Sequence, residues 1–188
     1  MTDEFKIYMS EPAIRKEIPY GVEWNVGMVE DRITGNLYPI HYAHDAKRFF
    51  GAGAGCRKSM REDLPSYIYI DDRLFLLSEK APKNFAFIII MLLYHLIYDE
   101  EMPSSKEEAG NIRRTMTALG RVDPQTLAGD RYAASAVGID TAIETMKYMA
   151  MTRERRADGL DFFDDMETEL RINALKALKR KQQKETKE

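Results

Sequence analysis

The stretch from Phe85 to Asp99 reads FAFIIIMLLYHLIYD and is the most apolar run in the sequence. A membrane-spanning helix needs roughly 20 apolar residues. The continuous apolar part of this run is about half that length, and Lys83 and Asp99 bracket it with charge. We therefore predict a helix buried in the protein core. One histidine, His95, lies near its polar end.

The composition is that of a globular domain without an obvious charged partner. Hydrophobic residues make up 44% of the 188 residues, which is enough for one core and excludes a disordered chain. A net charge of −3 gives no reason to expect nucleic acid or an anionic membrane as partner. The single cysteine, Cys56, excludes an intrachain disulfide, and no basic-then-apolar leader opens the sequence. We expect a cytoplasmic protein.

Residues 1–75 are predicted to be rich in strands. The clearest is PSYIYIDD at Pro65–Asp72, with Tyr67 and Tyr69 on one face and Ile68 and Ile70 on the other. Earlier strands are predicted at Ile7–Tyr8, Glu23–Val29 and Leu37–Ile40. The run from Gly51 to Gly55 lacks the lysine-serine pair of a phosphate-binding loop, so it predicts a flexible turn.

Residues 76–178 are predicted to be helical, with about five helices. Ser78 is the expected N-cap of the Phe85 helix, and a second helix is expected from Ser104 or Ser105 to Gly120. Asp123 followed by Pro124 predicts another start, with a break at Gly138. Asp140 is the expected cap of the helix after that.

The last helix is predicted to begin near Asp161. Phe163, Met166, Leu170, Ala174 and Ala177 recur at helical spacing, and no apolar residue follows Leu178. Residues 179–188 are therefore expected to be a charged, frayed tail of a single domain, residues 1–178. Strands first and helices after predict an α+β fold: a small, mostly antiparallel or mixed sheet, then a helical bundle.

Three side chains are candidates for chemistry. Asp99 lies one helical turn after His95, a spacing that suits metal binding but also occurs where a helix emerges into water. Asp130 falls on the apolar stripe of its helix, so its burial requires a partner. Asp130 is expected either to bind a metal ion or to pair with an arginine such as Arg113 or Arg131.

Other polar groups indicate weaker sites. His41 and His44 are three residues apart in IHYAH, but two imidazoles alone make a weak site, and surface or loop positions are expected. The basic tail lacks the interleaved aromatic residues of a nucleic-acid-binding segment, so a solvated terminus is favoured.

The segment YIYIDDRLFLLSEKAPKNFAFIIIMLLYHLIYDEE, followed by LAGDRYAASAVGIDTAIETM, resembles the core of a gluzincin-type zinc metallopeptidase over about residues 45–150. Such families have a strand with an acidic turn, then a helix that ends in HExxH. A second helix carries a glutamate ligand just before an Ala-Asp type motif. The most specific match is GDRYA at 129–133, and the resemblance implies a zincin-like core.

The resemblance implies that the catalytic positions are lost. With His95 as the second histidine of HExxH, Met91 occupies the first histidine position and Leu92 the catalytic glutamate position. Thr126, or the residue after it, falls at the third ligand. Asp130 matches an aspartate that supports a ligand histidine through a hydrogen bond. Together with Leu93, the residues Met91 and Leu92 are expected to turn a polar cleft floor into core.

Two functional hypotheses follow. The first is a catalytically inactive, peptidase-like domain without a cofactor, which binds another protein through a cleft-lining edge strand, Tyr67–Ile70. The second is a metal-dependent hydrolase that binds zinc through substituted ligands, with His95, Asp99 and Asp130 as the set. Catalytic zinc needs about three protein ligands and a base, and Leu92, or Leu96 in a shifted register, stands at the base position. The first hypothesis is favoured.

Overall fold

The computed structural model describes residues 5–9, 23–32, 34–43, 54–59, 65–98, 111, 114–152 and 161–186. Within these ranges a mixed sheet comes first and helices follow, which confirms the predicted α+β class. The predictions for His44, Asp99 and the caps at Ser104 or Ser105 lie outside the described residues.

Five strands form the sheet of the described part of the chain. They are β1 (Phe5–Met9), β2 (Glu23–Asp31), β3 (Asn36–Ala43), β4 (Ala54–Arg57) and β5 (Tyr67–Ile70). Their order across the sheet is β1-β2-β3-β5-β4, and β3 and β5 are the parallel pair while the other neighbours are antiparallel. Val29, Ile40, Ile68 and Ile70 point to the inner face and are fully buried.

The prediction that Tyr67–Ile70 forms an edge strand is wrong. β5 pairs with β3 on one side, where Ile40 lies opposite Ile68, and with β4 on the other, where Cys56 lies opposite Ile68. β4 therefore takes the end of the sheet among the described strands. The sequence of β4, AGCR, has no alternating apolar pattern. The strand that pairs with the outer side of β5 could therefore not be predicted from its own residues.

Gly55 belongs to β4 and not to a flexible turn, because Tyr69 of β5 lies across it. A Cβ atom at position 55 would lie 2.5 Å from the Tyr69 hydroxyl oxygen and 2.8 Å from the ring atom Cε1. The absence of a side chain at Gly55 is therefore what allows the Tyr69 ring to pack against the strand. Residues 51–53 of the predicted turn lie outside the described ranges.

We expect Gly55→Ala to destabilise the protein by roughly 1–3 kcal/mol, because the added methyl group displaces the Tyr69 ring. Urea denaturation of the variant and the wild type measures the difference. The same substitution in a Tyr69→Ala background is the control, and it should cost clearly less. Equal costs in both backgrounds would show that the Tyr69 contact does not set the requirement for glycine.

Five helices of nine residues or more follow in the described residues. They are α1 (Asp72–Lys80), α2 (Pro82–Tyr98), α3 (Pro124–Val137), α4 (Ile139–Thr152) and α5 (Asp161–Glu185). A shorter helical segment at residues 114–118 precedes α3 and ends in a turn at Gly120, whose φ is +68°. Gly138, with φ +95°, separates α3 from α4, as predicted.

The sequence does not predict α1, and the Phe85 helix, expected to follow a cap at Ser78, begins at Pro82. The Asp71 carboxylate directly after β5 accepts hydrogen bonds from the backbone amides of Arg73 and Leu74, at 3.0 and 3.1 Å, and is therefore the N-cap. Ser78 is not a cap, because it lies inside α1 and its hydroxyl donates to the Phe75 carbonyl at 2.6 Å. The predicted cap at Asp123 is confirmed, since its carboxylate accepts from the Thr126 amide at 3.1 Å.

The last helix is longer than predicted and buries a different face. It continues to Glu185, so the prediction of a frayed tail from residue 179 is wrong for 179–185. Lys179 of this helix forms an ion pair with Asp140 of α4. The prediction that Asp140 caps α4 is also wrong, because α4 begins one residue earlier, at Ile139. Ile172 and Leu175 are buried on α5, whereas Ala177 of the predicted stripe is exposed.

The helix that carries the Phe85 run, α2, lies at the centre of the fold as predicted. It packs against α1, α3, α4, β4 and β5, and Ile89, Ile90 and Leu93 have no exposed surface. Burying each such side chain contributes about 1.5–3 kcal/mol, so this helix holds sheet and helices together. Among the helices that the structure describes, none is both long and apolar enough to cross a membrane.

Candidate functional site

The three consecutive residues Met91, Leu92 and Leu93 of α2 have different surroundings. Met91 and Leu92 are half-buried, and Leu93 beside them is fully buried in the core. Met91 and His95 are one helical turn apart and therefore lie on one side of α2. The expectation that all three residues from Met91 to Leu93 fill the core is confirmed for Leu93 and wrong for the other two.

An arginine from α5 binds the buried aspartate of the GDRYA segment. Asp130 is 1% exposed, and the Arg171 guanidinium donates Nε to its Oδ2 at 2.8 Å and Nη2 to its Oδ1 at 2.6 Å. The same Nη2 lies 3.1 Å from the sulfur of Met91. Arg171 therefore contacts two of the motif positions at once. The bidentate geometry is the strongest form of an arginine–carboxylate pair.

A second carboxylate completes the surroundings of Arg171. Glu167, one turn earlier on α5, is buried, and its Oε1 lies 3.8 Å from the Arg171 Nη1. Burial alone would lower the pKa of Arg171, because it disfavours the charged form. The hydrogen bonds and the charge of Asp130, with the charge of Glu167, outweigh burial and raise that pKa above its ordinary value. Arg171 is therefore a permanent internal cation.

The residues of GDRYA have structural roles that the fold explains. Gly129 allows α3 to approach α2, because a Cβ there would lie 3.1 Å from the His95 Nε2 and 3.3 Å from the Tyr94 ring. Ala133 is fully buried at the same helix contact. Tyr132 packs its ring against Tyr94, with 5.3 Å between the ring centroids. The segment thus serves the packing of α3 on α2, and Asp130 binds Arg171.

Of the alternative ligand set, Asp99 lies outside the described residues, and Asp130 is engaged by Arg171. Both oxygens of Asp130 accept from Arg171, and a divalent cation beside that guanidinium would be repelled. Thr126, at the third ligand position, uses its amide and hydroxyl on Asp123, at 3.1 and 3.3 Å. In the part of the chain that is described, no three His, Cys, Asp or Glu side chains converge on one point.

His41 lies in β3 and is also engaged by a neighbouring aromatic residue. Its ring is stacked on that of Tyr67, with the centroids 4.3 Å apart and the planes 26° from parallel. The expectation of a surface or loop position is therefore replaced by a half-buried position on the sheet.

A cavity of about 580 Å³ opens beside Met91 and Leu92. It lies between α1, α2, α4, α5 and the end of β4, and α2 contributes Phe87, Ile88, Met91 and Leu92. The other apolar side chains are Ala54 of β4, Leu74, Leu76 and Leu77 of α1, and Met146, Tyr148 and Met149 of α4. This volume is within the usual range of ligand pockets, about 300–1,000 Å³.

Charged side chains also line this cavity. Three are cations, Arg73 and Lys80 from α1 and Arg171 from α5, and one is the carboxylate of Asp71. Arg73 donates Nε and Nη2 to Asp71, both at 3.2 Å, and reaches across to the Thr152 carbonyl of α4 at 3.4 Å. The cavity is therefore an apolar cleft with cations along its border.

Comparison of the chain with known protein families, with curated proteins and with solved structures finds no match. The resemblance to gluzincins thus remains a prediction from the motifs.

The sequence predicts that Asp130 needs a partner, but it suggests Arg113 or Arg131 and does not predict Arg171. The spacing of Glu167 and Arg171, four residues apart on one helix face, is the signal that was available.

Proposed function

We propose that this chain is a non-catalytic, peptidase-like binding domain whose cleft receives a segment of another protein. The observation that supports the proposal most is the cavity of about 580 Å³ with Met91 and Leu92 in its lining. These two residues stand where the resemblance places the first histidine and the catalytic glutamate. A cleft kept open while its chemistry is replaced by apolar side chains suits binding better than hydrolysis.

The end of the sheet offers a second element of such binding. Ala54 lines the cavity, and β4 is the last strand of the described sheet. An extended segment of a partner that pairs with β4 would place alternate side chains into the cavity. This role was predicted for Tyr67–Ile70, and we transfer it to β4 because β5 is covered on both sides. We place the domain in the cytoplasm, as the single cysteine predicts.

Site-specific photo-crosslinking tests the proposal. A benzoylphenylalanine at Met149, which lines the cavity and is 37% exposed, is compared with one at Leu119, which does not and is 66% exposed. The full chain is irradiated in an extract of the cells that produce it. We expect a defined protein adduct from position 149, absent from position 119 and lost when Leu92→Trp is added. Equal labelling at both positions, or a chain that stays monomeric and recovers no specific partner, would contradict the proposal.

A further inference from the structure

Cationic side chains outnumber carboxylates in the lining of the cavity. Arg73, Lys80 and Arg171 line the cavity, and Asp71 is the carboxylate among the lining residues. Asp71 is already engaged, because it caps α1 and binds Arg73. Asp130 and Glu167, the two carboxylates beside Arg171, are absent from the lining. An occupant of the cavity therefore meets N–H donors at its polar border.

The most informative contact is between Arg171 and Met91. One nitrogen, Nη2, donates to Asp130 at 2.6 Å and also faces the thioether sulfur of Met91 at 3.1 Å. A thioether is a weak acceptor, whereas a carboxylate forms short, charge-assisted hydrogen bonds with guanidinium. The Met91 side chain is flexible and half-buried in the cavity lining, so an incoming carboxylate can displace it.

We propose that the cavity selects a partner segment of apolar residues that carries an Asp or Glu, whose carboxylate replaces the Met91 sulfur at Arg171. This inference rests on the proposed function and specifies the chemistry of the partner. Lys80 and Arg73 lie seven residues apart on α1, two helical turns, and both line the same cavity. Their charges favour acidic residues on either side of the bound segment.

Substitutions at Met91 test the inference without removing Arg171 from the fold. Met91→Glu supplies a carboxylate to Arg171 from within the chain, and Met91→Leu keeps the volume without a charge. A random peptide library displayed on phage is selected on the full wild-type chain. The selected peptide is then synthesised with its acidic residue and with the matching amide, and the Kd of each is measured by fluorescence anisotropy.

We expect the selected peptides to combine apolar residues with an Asp or Glu. The acid-to-amide change should weaken binding about tenfold or more to the wild type and to Met91→Leu. It should have little effect with Met91→Glu. Leu92→Trp, which places a larger ring in the cavity lining, should weaken binding strongly, and Leu119→Trp should not.

Four results would overturn the inference. Peptides that bind through the cavity with no preference for an acid would refute it while leaving the proposed function standing. Peptides that bind Leu92→Trp as well as the wild type, or no selected peptide at all, would count against both. A separate experiment measures whether palmitate displaces a fluorescent dye bound in the cavity. If palmitate displaces the dye and no peptide is selected, the cavity binds a lipid and the peptide proposal is contradicted.

Discussion

Replacing Arg171 with methionine is expected to lower the free energy of unfolding by about 3–5 kcal/mol. The reason is that Asp130 is 1% exposed and would lose both of the hydrogen bonds it accepts from Arg171. Glu167 would lose the guanidinium that lies 3.8 Å from its Oε1 at the same time. Urea denaturation, monitored by circular dichroism with the slope checked for constancy, measures the loss.

A matched control lies two turns further along the same helix. Lys179→Met removes an equivalent cation from the pair with Asp140, but those side chains are 39% and 70% exposed. Exposed pairs contribute about 0–1 kcal/mol, so this variant should be close to the wild type. If Lys179→Met lowers the free energy of unfolding as much as Arg171→Met, burial is not the reason for the large contribution of Arg171.

The Arg171–Asp130 pair is also a coupled unit. Arg171→Met combined with Asp130→Asn should cost less than the sum of the two single variants, because each alone leaves its partner buried and unpaired. The pKa of Arg171 is raised in the folded chain. Its stabilising contribution is therefore fully present below the unfolded pKa, and it is lost only as the pH rises through the still higher folded value. Neutral-range pH changes should not titrate this guanidinium.

Two neighbouring leucines of α2 should respond very differently to truncation. Leu93→Ala is expected to cost about 2–5 kcal/mol, because Leu93 has no exposed surface and its loss leaves a void in the core. Leu92→Ala should cost about 1 kcal/mol, because Leu92 borders an existing cavity and loses fewer contacts.

The comparison of these two leucines measures whether the cleft is open in solution. Both variants remove the same atoms from adjacent positions of one helix, so helix propensity cancels. Urea denaturation of the pair under identical conditions gives the two differences in the free energy of unfolding. Similar losses for both would mean that Leu92 is packed as core and that the cleft is closed.

Local chemistry explains which features of the fold are predictable from the sequence. Asp123, Pro124 and Gly138 act within one or two turns of chain, so their pattern predicts the bounds of α3 correctly. The apolar run of α2 likewise predicts its burial. β4 is different, because its strand conformation depends on pairing with β5 and on the Tyr69 ring across Gly55. Neither contact can be predicted from the sequence of β4 alone.

The candidate site shows the same division between local and distant causes. An aspartate on an apolar stripe predicts that Asp130 has a partner, because an unpaired buried carboxylate is costly. Which cation reaches it depends on how α5 crosses the bundle. The face of α5 that is buried includes Glu167 and Arg171, so a count of apolar residues selects the wrong stripe, the one through Ala177. The spacing of apolar residues along one helix does not predict which charged residues of two different helices form a pair.

The metal content of the full chain, purified without chelator, tests most directly whether this is a binding domain and not a hydrolase. We expect elemental analysis to find no stoichiometric zinc, manganese or iron. We also expect added zinc to leave the Tm unchanged, because a ligand that binds the folded state would raise it. One equivalent of zinc per chain, lost with His95→Ala or Asp130→Asn, would contradict the account.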